Sequence, residues 1–219
     1  MSGLRVSGTG FTELTAADGS GLLGDVRALL EQLGSCDVEG RVTRVPDSDG
    51  MPGTFKALRK FLENYKRHVL IAHEWPAIYR AYNHARQGEC QELIALDESL
   101  AREKRLVPFA DASRKIGQFQ LKRLAPLRGE RVLTRYMAAV DEGRANGWHT
   151  LVYGLTLAVY SLPARQGLMH YAQQILRGYL ESAAHSFSVT DEELRTALEE
   201  LLADLPRELE KLLNPVTRD

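Results

Sequence analysis

From Thr54 onward the apolar residues of this chain return every three or four positions, and strict alternation of apolar and polar residues is nowhere sustained. That spacing gathers them on one face of a helix, whereas a half-buried strand needs a period of two. Phe55, Leu58, Phe61, Leu62, Tyr65 and Val69 trace the first stripe, with Thr54 as its N-cap. Pro76 is expected to end that run and to open the next helix, which stops near Gly88. Further stripes run over 89–105 (Cys90, Leu93, Ile94, Leu100), from Pro108 (Phe109, Ile116, Phe119, Leu124) and from Val132 (Leu133, Tyr136, Met137, Val140). Residues 149–162 are apolar nearly all round, which predicts a central helix buried on most sides. The stretch is shorter than the roughly 20 apolar residues a bilayer span needs. Pro163 opens a long helix to about Ser186, and Thr190 with Glu193 spells a capping box before a last helix pair divided near Pro206. The expected fold is all-α, a single-domain bundle of about eight to ten helices.

The first 53 residues read differently. Residues 1–20 form a Gly-, Ser- and Thr-rich arm, 22–33 a short helix capped by Ser20, and 34–53 a long polar loop expected to be mobile. The expected division is therefore 1–53 for arm, short helix and loop, and 54–219 for the helical domain. At most Leu4–Val6 or Val42–Val45 could extend briefly. MSGLRVSGTGFTEL contains no apolar run of the signal-peptide kind, so a soluble cytoplasmic protein is expected.

The chemical inventory is sparse. The chain has no phosphate-loop, zincin or nucleophile-elbow motif, and its two cysteines, Cys36 and Cys90, cannot build a structural zinc site. A di-iron bundle needs paired E-x-x-H units; Glu181 and His185 are four apart instead, with no second copy. His68 and His73 diverge by about 140° around a helix. His84 and His170 read as solvated and polar-rim residues, and His149 as a capping or core histidine. No nucleophile, base and orienting group assemble from the sequence, so catalytic residues, metal ligands and cofactors are expected to be none. A net charge of −1 gives no global basis for nucleic-acid binding. Charge is uneven, however. Ten basic and three acidic residues lie between 101 and 135, while four basic and ten acidic ones lie between 181 and 219.

Several segments in order carry a resemblance. They are Ala77-Ile78-Tyr79-Arg80-Ala81-Tyr82, Gly88 through Leu100 with its Leu96-Asp97, Ser113 with Gly117, His149 with Gly154, and Ser182-Ala183-Ala184. Together, over residues 57–200, they resemble the urease accessory protein F (UreF) family. Thr150 stands where the family carries a proline after its histidine, and the segment after Ser182-Ala183-Ala184 is shortened and changed. The resemblance implies a cytoplasmic all-α adaptor without a cofactor. It would bind a UreD/UreH-type scaffold protein and a UreG-type GTPase, in an assembly that inserts nickel into apo-urease. Two alternatives stay open: an adaptor of the same fold for another metalloenzyme or GTPase, and an all-α heme-oxygenase-like enzyme or ligand binder; association as a homodimer is compatible with the adaptor reading. No nucleic-acid or membrane partner is expected.

For an adaptor the informative residues lie on docking faces. Ser113, Gly117, Gln118, Lys122 and Arg123 are the candidate partner-binding set. Ser113 and Gly117 are two small residues one turn apart, which lets another helix approach closely, either the 149–162 helix of the same chain or a helix of a partner or second copy. The internal contact is the favoured expectation. Lys122, Arg123 and Gln118 lie on or beside the basic face.

Overall fold

A computed structural model of the chain describes residues 54–104, 106–127, 129–184 and 189–214. The expected arm, the 22–33 helix and the 34–53 loop lie outside these residues, as does the end of the long helix beyond Ala184. Among the described residues the structure is helical, with no strand. Helix α1 (Phe55–Tyr65) passes through a π-helical segment (Lys66–Glu74) into α2 (Trp75–Gln87). Then come α3 (Cys90–Ala101), α4 (Ala110–Arg123), α5 (Arg131–Asp141), α6 (His149–Val159), α7 (Ala164–Ala184), α8 (Asp191–Leu202) and α9 (Leu205–Leu213).

The expected caps form. Thr54 Oγ1 accepts from the Ala57 N–H at 3.2 Å, and Thr190 and Glu193 close a reciprocal capping box. Two expected breaks do not separate rods. Pro76 lacks an N–H and would crowd the carbonyl four residues back in a regular α-helix. The chain crosses it by switching register: the Trp75 N–H donates to Leu70 O, a π-type bond one residue longer than the α pattern. Near Pro206 only Ala203 and Asp204 part α8 from α9, and both keep right-handed helical dihedrals. Counted as rods, the described residues therefore make seven helices, fewer than the expected eight to ten.

Helix α6 is the axis of the core, as its all-round apolar surface predicts. Residues 149–157 are all buried, with α2 and α4 packed against them. The α2 contact is close at Gly154. A Cβ there would stand 2.4 Å from Ile78 O and 2.9 Å from Ala81 Cβ, so only glycine fits the crossing. Leu168, Tyr171, Ala172, Ile175, Leu176 and Tyr179 give α7 a buried stripe at helical spacing. Each fully enclosed leucine, such as Leu151, Leu155 or Leu157, contributes about 1.5–3 kcal/mol. An exposed pair such as Arg195–Glu192 gives about 1 kcal/mol at most. Packing around α6 thus decides the fold.

Helices α8 and α9 are fastened to the first rod by polar contacts. Lys66, 3% exposed, sends its ammonium to Leu201 O (3.1 Å), Asp204 Oδ1 (2.9 Å) and Glu63 Oε2 (3.1 Å). All three donors of the buried lysine are used, which its desolvation demands.

Candidate functional site

The candidate residues all sit on α4, and the sequence dictates what backs that helix. Asp97 on α3 is fully buried. Its carboxylate accepts four hydrogen bonds: from Tyr136 Oη (2.6 Å), the Asn146 backbone N–H (2.6 Å), Asn146 Nδ2 (2.7 Å) and the Gly147 N–H (3.0 Å). A carboxylate without water needs such donors. Here they fix the turn between α5 and α6 in one conformation. Burial and the neighbouring Asp97 charge hold the Tyr136 hydroxyl well above the usual phenol range, so it stays a donor.

That turn rests on α4. Ser113 Oγ accepts the His149 N–H at 3.1 Å, satisfying one free donor of the α6 N-terminus. One turn on, a Cβ at Gly117 would fall 2.0 Å from Gly147 O and 2.7 Å from the His149 nitrogen. Ser113 and Gly117 are therefore buried in an internal contact, made with the backbone of residues 147–149. Gln118 is exposed but points its Nε2 to Asn146 O at 2.9 Å, a third tie to the same turn. Lys122 is exposed, and Arg123, also exposed, donates to Gln120 Oε1 at 3.3 Å. The structure thus divides the set: Ser113 and Gly117 behind, Gln118 at the edge, Lys122 and Arg123 outward.

Sequence reasoning missed Asp97 as an organiser, although Leu96-Asp97 lies in a quoted motif. It also counted Phe119 as part of the core stripe, whereas Phe119 is 57% exposed, beside the exposed Lys115 of the basic stretch. The histidines divide as well. His149 is buried at the start of α6, its ring 5.9 Å from that of Tyr171 and 6.5 Å from that of Tyr153. His170 is buried rather than on a rim, because it falls on the inner side of α7. His84 is half-buried and pairs with Glu89 at 2.8 Å rather than standing in water alone.

A second polar cluster lies where the π-helical segment meets α7. Tyr65 donates to Glu74 Oε2 at 2.7 Å, and the Tyr171 hydroxyl acts on the same carboxyl electrostatically. Burial raises the Glu74 pKa to about 7 and pushes Tyr65 and Tyr171 well above the phenol range. Grooves of about 300 Å³ between α7 and α8, and between α1 and α8, do not include Glu74. Among the described residues no group of three or more His, Cys, Asp or Glu is placed to hold a metal ion, and no helix is long and apolar enough to cross a membrane. What the geometry offers is a rigidly backed helix with a basic outer face.

Compared with known families, residues 54–201 match the model described as UreF. No curated protein matches the chain.

Proposed function

The chain belongs to the UreF family, whose members are urease accessory proteins, and from that premise we propose that it is a non-catalytic cytoplasmic adaptor for nickel insertion into apo-urease. Its partners in this reading are a UreD/UreH-type scaffold and a UreG-type GTPase. The family match over the helical body carries the reading. The rigid backing of α4 supports it, since a protein that acts by docking needs surfaces held in one shape. Gln118, Lys122 and Arg123 are the outward candidates from the sequence, with Ser113 and Gly117 holding the helix behind them.

Reconstitution tests it. The full chain is mixed with the scaffold, the GTPase and apo-urease of the same genome, and complex mass and nickel- and GTP-dependent urease activity are measured. A complex containing the chain, and activation that requires it, are the expected results. Absence of both overturns the urease assignment and leaves an adaptor of the same fold with a different client. Thr150 and the altered segment after Ala184 are the sequence features that favour that second reading.

A further inference from the structure

Helix α4 turns Lys115, Phe119, Lys122 and Arg123 to solvent, away from the 146–149 turn. From Phe119 these cations lie four residues back, three on and four on, so they stand one helical turn to either side of its ring. Among the described residues neither lysine has a carboxylate within ion-pair distance. By contrast Arg114, on the same helix, is held by Asp111 at 2.5 Å. Phe119 is also the most exposed large apolar side chain described. Interfaces are built the same way, with a desolvated aromatic anchor inside a charged rim.

We propose that Phe119 is the anchor of a protein-docking face whose rim is Lys115, Lys122 and Arg123, and that its partner is an acidic protein surface with an apolar pocket. The cations supply the argument for that occupant, because unpaired positive charge speeds encounter with, and selects, a negative surface. Ser113 and Gly117 from behind, and Gln118 from the edge, already fix the α4 backbone, so little order is lost when the face is covered. A nucleic acid fits less well. The cations span about two helical turns, with no track for successive phosphates, and the chain's net charge is −1. The inference rests on the adaptor reading only in taking docking as the chain's mode of action.

The test places a photoreactive residue at the anchor. The full chain carrying Phe119→p-benzoylphenylalanine is made in its native host and irradiated, and the adducts are identified by mass spectrometry. A control carries the same group at Val107, which is also exposed. The expected result is a protein adduct at 119, absent at 107 and mapped to an acidic segment. Binding of that purified protein should then fall about tenfold or more in Phe119→Ser, which removes an exposed side chain and should melt as wild type. Lys115→Glu with Lys122→Glu should weaken binding and flatten its salt dependence. No adduct beyond the control, an RNA adduct, an adduct to a second copy, or binding indifferent to these substitutions would each overturn the proposal. Two results separate this face from the urease assignment. An acidic partner outside the urease system keeps the face and removes the assignment. Normal reconstitution with every one of these variants keeps the assignment and removes the face.

Discussion

At the scale of single residues, Gly117 sets two effects against each other. Alanine is the better helix former by about 1 kcal/mol. Against that, its Cβ would meet a backbone carbonyl at 2.0 Å, and backbone held by Asp97 has nowhere to go. Overpacking of this kind costs about 1–3 kcal/mol, so the clash wins. Gly117→Ala should lower the melting temperature, and partner binding should suffer only through the fraction unfolded. Wild-type melting would show that the α4 crossing is looser than described. The close crossing was legible in the sequence, because Ser113 and Gly117 are small and one turn apart. Its neighbour was legible in part. The contact includes His149, the first residue of the expected 149–162 helix, but also the turn before it, and nothing local in NGW marks that turn as buried. Phe119 was misread for the opposite reason: its apolar character fits the stripe, but the helix is rotated so that Ile116 and Gln120 go inward.

At the scale of elements, the helices themselves were legible because their apolar spacing and caps are local. The π-helical segment was not, since it is a slip in hydrogen-bond register that no residue type announces. That segment carries a pH dependence. Glu74 holds its proton up to about pH 7 when folded, above its ordinary value of 4.5. The folded chain therefore binds the proton more tightly than the unfolded chain between those values. Its contribution is fully present below pH 4.5 and lost as pH rises through 7, a change on the order of 3 kcal/mol. Glu74→Gln keeps an acceptor for Tyr65 and removes the titration. Urea unfolding at pH 5, 6, 7 and 8 should show a shallower fall for this variant, which should be the more stable protein at pH 8. Parallel curves for both proteins would mean that Glu74 titrates normally. The neighbouring Lys66 tests the other attachment. Lys66→Met should cost about 1–2 kcal/mol, discounted from a fully buried pair because Asp204 is half exposed. Hydrogen exchange should speed selectively at the α8–α9 corner. Uniform exchange across the chain would deny the lysine that local role.

At the scale of the whole molecule, the two charged blocks of the sequence prove unlike. Half of the ten acids in the acidic one are paired with bases, largely at the surface: Glu192 with Arg195, Glu200 with Arg59, Asp204 with Lys66, Glu208 with Lys211 and Glu210 with Arg165. The basic block keeps Lys115 and Lys122 unpaired among the described residues. Sequence alone shows both blocks but not which is neutralised, because most of these pairs join helices far apart in the chain. The same separation governs Asp97, whose partners lie 39 to 50 positions away. Asp97→Asn would turn an amide donor toward donors and lose charge-assisted bonds, at a cost on the order of 3 kcal/mol. Bonds between residues so far apart in the chain are expected to form after the local helices, once α3, α5 and α6 have met. The loss should then appear mainly as faster unfolding, with the folding limb of the chevron little changed. A folding rate slowed in proportion would place the carboxylate in the nucleus instead. The contacts behind α4 would give its face a timing: Ser113 and Gly117 rest on residues 147–149, so a partner that requires the backed face should pass over chains not yet made through His149.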